Sequence, residues 1–276
     1  MTNRAKIITV TSMKGGVGKT VITSLLARYY TEMEGKKVLV VDFDPRAGIT
    51  SLLYNRPINT NDMTIAELMR VAYERGNILD VYYQSVRETG LEKNKHWKDN
   101  GGKLLLLPSK PALESVLKEK DTTLLKYLLH SLELTDEYVI LVDTGADSNC
   151  VILGTCAADV VFLPMIYSKQ DVHPAVETLR AIILEQRENG HAVLGGLVIN
   201  QGSGTKWEQV YHDNYVQLFD RFKEKADLKI ASDNLFIHLD VSRTIKRGTF
   251  MEWTIRDDYL AAAQQMAAAV QAVDVM

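Results

Sequence analysis

The chain has 276 residues, 46% hydrophobic and 24% charged, with 32 Lys and Arg against 35 Asp and Glu for a net charge of −3. Near-balanced charge excludes a general attraction to polyanions, so any nucleic-acid surface must be a local patch, and the apolar fraction suffices for a large core. Cys150 and Cys156, with no charged-then-apolar leader ahead of them, fit a reduced cytoplasmic protein better than a disulfide scaffold, and no apolar run approaches the ~20 residues of a membrane span.

Short β-rich apolar runs alternate with longer helical patterns. Each run is continuous rather than alternating, as parallel strands covered on both faces require. The expected strands are Lys6 to Thr11, Lys37 to Asp42, Leu104 to Pro108, Tyr138 to Asp143, Val160 to Pro164, Val193 to Asn200 and Leu235 to Leu239. The expected helices are Lys19 to Glu34, Thr64 to Glu74, Thr122 to Leu132, Pro174 to Asn189, Lys206 to Lys225 and Asp258 to Ala272. The polar stretch Glu88 to Gly102 reads as an exposed connection. The fold class is therefore α/β, a doubly wound, mostly parallel sheet flanked by helices, expected as a single domain over residues 1–276.

The segment Lys14-Gly15-Gly16-Val17-Gly18-Lys19-Thr20 lies between the first strand and the first helix, the context a phosphate loop needs. Backbone N–H groups freed by glycines and by the helix N-terminus can surround a di- or triphosphate. Lys19 is placed to meet the terminal phosphates, and the Thr20 hydroxyl to ligate Mg²⁺. The usual first glycine of such a loop is replaced by Met13, and an additional lysine, Lys14, stands at its start.

This deviant Walker A loop resembles that of the ParA/MinD group of P-loop ATPases. In that group the early lysine reaches across a nucleotide sandwich dimer, so the resemblance implies a homodimer with ATP in which Lys14 contacts the partner's phosphates. Such a cation offsets charge on the transferring phosphoryl group.

Val38 to Pro45 delivers Asp42 and Asp44 to a strand's C-terminal end, the ligand-binding edge of an α/β sheet. It is similar to the group's first switch element, which implies that Asp44 orients or deprotonates the attacking water and that Asp42 supports the magnesium site. Arg46 stands where glutamine is usual. The strand Tyr138 to Asp143 resembles the group's Walker B strand, implying that Asp143 holds Mg²⁺ through water. Gly145-Ala146-Asp147 departs from the usual proline continuation and leaves Asp147 without a role. Asn200 ends a strand resembling the one whose asparagine hydrogen-bonds adenine.

Members of this group differ in the surface they bind. The C-terminal segment from Tyr259 contains no Lys or Arg, unlike the basic amphipathic helix of MinD-like proteins, so no membrane partner is expected. Arg221, Lys223, Lys225 and Lys229, then Arg243, Lys246 and Arg247, form a basic region; by resemblance Arg221, Lys223, Arg243, Lys246 and Arg247 are candidate contacts to non-specific nucleoid DNA. Only five residues precede Lys6, leaving no room for an operator-binding helix-turn-helix. The short partition type is expected, with slow hydrolysis stimulated by a ParB-like or other adaptor. The alternatives are a positioning ATPase acting on a membrane or protein surface, a nucleotide-gated scaffold with little turnover, and an iron-sulfur reductase of the same superfamily, whose cysteine spacing Cys150 and Cys156 do not resemble.

Overall fold

In a computed structural model the described residues are 4–118, 121–190, 192–200, 206–226, 228–232, 235–239 and 257–273. The apolar runs form strands β1 (Lys6–Val10), β2 (Lys37–Phe43), β3 (Arg87–Glu88), β4 (Lys103–Leu107), β5 (Tyr138–Thr144), β6 (Val160–Met165), β7 (Val193–Asn200) and β8 (Phe236–Leu239). They make one sheet in the order β3-β4-β2-β5-β1-β6-β7-β8. Every pairing is parallel except that of β3 with β4.

The helices are α1 (Lys19–Glu32), α2 (Gly48–Leu53), α3 (Ile65–Tyr73), α4 (Ile78–Ser85), α5 (Leu113–Val116), α6 (Leu124–Ser131), α7 (Ser148–Ala157), α8 (Val172–Asn189), α9 (Lys206–Ala226) and α10 (Asp257–Val273). Alternation of side chains along each strand divides the core. Ile8, Val10, Val38, Val40 and Leu141 face α1 and α10, whereas Ile7, Leu39, Val41, Ile140 and Val142 face α3, α6 and α7. Farther along the sheet, Val161 and Leu163 pack with Leu179 of α8 and with Tyr215 and Phe219 of α9. The alanine-rich α10 buries Ala263, Met266 and Ala267, so its small side chains let it lie close against the core.

Two expectations change. The stretch Glu88 to Gly102 is not simply an exposed connection: its first residue belongs to β3, a 3-10 turn covers Leu91–Lys93, and Trp97 is only 6% exposed. Trp97 takes the Arg28 guanidinium over its ring at 4.7 Å, which gives a buried cation an aromatic partner. Second, α2, α4, α5 and α7 were not expected as helices. The α7 segment is apolar on nearly every side because it packs against β1, β5, α6 and α8, so it lacks the one-sided periodicity that marks a surface helix. Its start is set by Asp147, whose side chain accepts from Asn149 N–H at 2.8 Å. That N-cap is the role the sequence left unassigned.

Candidate nucleotide site

The site lies at the C-terminal ends of β1, β2 and β5, where the strand order reverses around β1. The loop from Lys14 to Gly18 leads directly into α1. Gly18 is the helix N-cap at φ 97°, ψ 21°, and no side chain caps the helix, so its first N–H groups remain available to an anion. That φ requires glycine. A Cβ on Gly18 would also stand 2.0 Å from Asn200 Nδ2, which donates to the Val17 carbonyl at 3.0 Å.

Asn200 thus braces the back of the loop. Its Oδ1 is buried without a hydrogen-bond partner, which leaves the acceptor that an adenine amino group would need. Lys19 folds back over its own loop, donating to the carbonyls of Ser12 at 3.2 Å and Lys14 at 2.9 Å. Burial lowers its pKa, opposed by the charges of Asp143 and Asp44.

Parallel pairing places Asp42 of β2 beside Asp143 of β5, and Asp143 beside Val10 of β1. Asp143 Oδ2 accepts from Thr20 Oγ1 at 2.8 Å and Oδ1 from Thr23 Oγ1 at 3.0 Å. Burial pushes the Asp143 carboxyl up to about 6, against the lowering effect of those two hydroxyls. Asp42 is fully buried; desolvation, then the Asp143 charge, pushes it up to about 8. Its Oδ2 accepts from the Thr50 N–H at 2.9 Å and hydroxyl at 2.6 Å, and its Oδ1 from Asp44 N–H at 3.1 Å. Asp42 therefore organises the turn that carries Asp44 and ties it to α2.

Asp44 is half-buried and accepts from Arg46 N–H at 2.9 Å. A Cβ at Gly145 would lie 3.1 Å from Cys150 Sγ and 3.3 Å from the Asp44 carboxyl carbon, so the glycine lets this strand end pass close to both. Arg46 itself is exposed.

Lys14, Lys19, Thr20, Asp42, Asp44, Asp143 and Asn200 thus gather around one loop. Of the basic candidates, only Arg221 and Lys223 lie among the described residues. Arg221 and Lys223 sit at exposed positions of α9, among the acidic Asp220 and Glu224, while Arg243, Lys246 and Arg247 lie outside the described residues. The sequence reading missed Thr23, Thr50 and Asp171. Thr23 was findable, one helical turn beyond Thr20; Asp171, at the entry to α8, carries no local signal of its ion pair with Lys14.

Residues 8–230 match the family model for the CobQ/CobB/MinD/ParA nucleotide binding domain. Among solved structures, the chain is similar to a plasmid partition protein from Borrelia burgdorferi B31 bound to AMPPNP, with 24% identity and a TM-score of 0.67 over 96% of this chain and 98% of that one. It is similar to apo McdA from Cyanothece, with 19% identity and a TM-score of 0.68 over 99% of both chains. It also resembles cobyrinic acid a,c-diamide synthase from Mycobacterium smegmatis with a bound ATP analogue and magnesium, at 20% identity and a TM-score of 0.63 over 89% of this chain and 91% of that one. At these identities the likeness is one of fold. A replication protein A relative from Sinorhizobium fredii is 33% identical over 78 residues, a match spanning 28% of this chain and 19% of that protein's length.

Proposed function

Because the chain belongs to the CobQ/CobB/MinD/ParA nucleotide-binding family, we propose that it is a ParA-like, magnesium-dependent ATPase that serves plasmid or chromosome partition or the positioning of another cargo. The observation that carries this reading is the convergence of Lys19 and Thr20 of one loop with the paired strand-end carboxylates Asp42 and Asp143, in a loop that opens on a second lysine, Lys14.

The residues fit nucleotide and metal. An uncapped α1 N-terminus and two positive-φ glycines, Gly16 and Gly18, present a cradle of backbone N–H groups to phosphate. Lys19, released from the loop carbonyls, supplies charge to the terminal phosphates. Thr20 and, through water, Asp143, already hydrogen-bonded to each other, would hold Mg²⁺ with Asp42 in support, an ion that takes few protein ligands and keeps water and phosphate oxygens. Magnesium supplies neutralisation of charge on the transferring phosphoryl group. Asp44 holds and polarises the attacking water, and Asn200 offers its free carbonyl to adenine.

In this reading residues 1–276 form one ATPase domain. ATP closes a sandwich homodimer in which Lys14 crosses to the partner's phosphates, the dimer coats nucleoid DNA through Arg221, Lys223, Arg243, Lys246 and Arg247, and an adaptor of ParB type stimulates slow hydrolysis. The protein is cytoplasmic and nucleoid-associated. Membrane attachment through α10 is disfavoured because its apolar residues are spent against α1, β7 and β8. Among the described residues no helix is long and apolar enough to cross a membrane.

The test is binding of random-sequence duplex DNA with ATP, ADP or no nucleotide across a salt series. ATP-selective, salt-sensitive binding that is lost in Lys14→Ala and in an Arg243/Lys246/Arg247 triple alanine variant is expected. Absence of binding with every nucleotide overturns the nucleoid role and leaves the ATP site standing.

A further inference from the structure

A second cavity, of about 480 Å³, opens between α2 and the turn after β4, lined by no residue of the phosphate loop. Its polar lining includes Arg56, Lys110, Ser51, Tyr54 and Ser109, and it contains no carboxylate. The larger cavity at the opposite strand ends, about 530 Å³, differs in mixing lysines with Glu34 and Asp136.

Ser109 belongs to the lining of the cavity beside α2. The residue is 0% exposed, and its Oγ has no hydrogen-bond partner. Its backbone N–H, by contrast, is satisfied by Thr50 Oγ1 at 3.0 Å. Buried hydroxyls are nearly always hydrogen-bonded, because desolvation without a partner is costly. A donor kept idle on a cavity wall calls for an acceptor from outside the chain.

Arg56 fixes the sign of that acceptor, because the charge and the three donors of Lys110 are already taken within the chain. Lys110 is a fixed part of the wall, donating to the carbonyls of Thr60 at 3.0 Å and Asp62 at 2.7 Å and pairing with Glu67 at 2.9 Å. Arg56 is exposed, and its guanidinium is a planar fork suited to the paired oxygens of phosphate or carboxylate. We propose that this cavity binds a small anion bearing a phosphate or carboxylate group, held by the Ser109 hydroxyl and the Arg56 guanidinium.

Thr50 links this site to the nucleotide site. Its N–H and hydroxyl donate to Asp42, and the same hydroxyl oxygen accepts from Ser109 N–H. A ligand on Ser109 therefore bears on the backbone that holds the Asp42 turn, and by linkage nucleotide bears equally on the ligand.

The experiment uses the full chain loaded with ADP and magnesium, which occupies the phosphate loop, and follows backbone amide resonances during titration with inorganic phosphate and, separately, glutarate. Saturable shifts at the non-proline residues of 50–58 and 109–111 with at least one probe are expected, and the probe that saturates identifies the anion class. The Arg56→Gln/Ser109→Ala variant should lose at least tenfold in affinity with ADP binding unchanged. The exposed Arg56→Glu change, which leaves the core intact, should weaken binding by itself. No saturable shift from either probe, shifts confined to residues 14–20, or affinity unaltered by Arg56→Glu overturns the proposal.

Discussion

Lys14 forms an ion pair with Asp171, a carboxylate only 3% exposed, while the lysine remains 26% exposed. Asp171 is further fixed by Ser168, whose hydroxyl donates to it at 3.0 Å. The lysine proposed to reach a partner's phosphates is thus held within its own chain. Lys14→Ala leaves a buried carboxylate without its cation and should cost about 1–3 kcal/mol, whereas Lys14→Ala/Asp171→Asn should recover much of that loss. Thermal unfolding of the four-member cycle measures the coupling. Asp171→Asn alone should raise the fraction of ATP-dependent dimer at a given concentration, read by light scattering; an unchanged fraction removes the latch.

Gly18 should tolerate no side chain. With φ at 97° and Asn200 Nδ2 standing 2.0 Å from any added Cβ, Gly18→Ala should cost on the order of 1–3 kcal/mol from backbone strain and displace the Asn200 brace. Adding Asn200→Ala relieves the collision but not the dihedral strain. ADP affinity and melting temperature should therefore recover only in part, and full recovery would show that the collision was the whole cost.

Asp44→Ala should separate binding from turnover. The carboxylate is tied to the loop after β2 through Arg46 N–H and takes no part in the Thr20 and Asp143 contacts. Nucleotide binding should persist, while phosphate release falls by roughly 10²–10⁴-fold, the range expected on removing a positioned base. Retained turnover would reassign the water-orienting role.

Both cysteines should be inert in the folded protein. Burial pushes the Cys150 and Cys156 thiols up to about 12 each, and the Cys156 thiol also donates to Glu185 at 3.0 Å. At pH 8 the thiolate fraction is then roughly one in ten thousand. A thiol-disulfide indicator should report no thiol in the native state and both after denaturation. Rapid native titration of two thiols, or iron in the purified protein, would reopen the iron-sulfur alternative.

Arg28 and Glu32 form an ion pair one helical turn apart on α1, at 0% and 2% exposure. Burial lowers the Arg28 pKa against the opposing pull of Glu32, so the cation depends on its partner. Glu32→Ala should cost about 3–5 kcal/mol because it removes the carboxylate that compensates the buried guanidinium. Denaturant unfolding followed by tryptophan fluorescence provides the measurement.

The strands were legible because burial on both faces writes itself as unbroken apolar runs: Val193–Asn200 matches its expected span, and β1, β2, β5, β6 and β8 differ from theirs by one residue at a single end. What escaped was short or enclosed. The six residues of α2 offer too little periodicity, and β3 is a two-residue edge pairing.

The loop from Lys14 to Thr20 was readable from local pattern, since glycines and lysines at fixed offsets between a strand and a helix leave the backbone few conformations. The same pattern also placed Asp42 and Asp143 at the C-terminal ends of their strands, where each stands one residue before the last. The insertion of β5 between β1 and β2 emerges in the folded sheet, where it sets those carboxylates side by side and brings Asp143 to Thr20 across 123 residues of chain. The pairing of Lys14 with Asp171 and the bridging of Asp42 to Ser109 by Thr50 arise the same way. Local pattern encodes dihedral preference and burial, whereas strand order and contacts between distant side chains follow from how the crossover helices pack on both faces of the sheet.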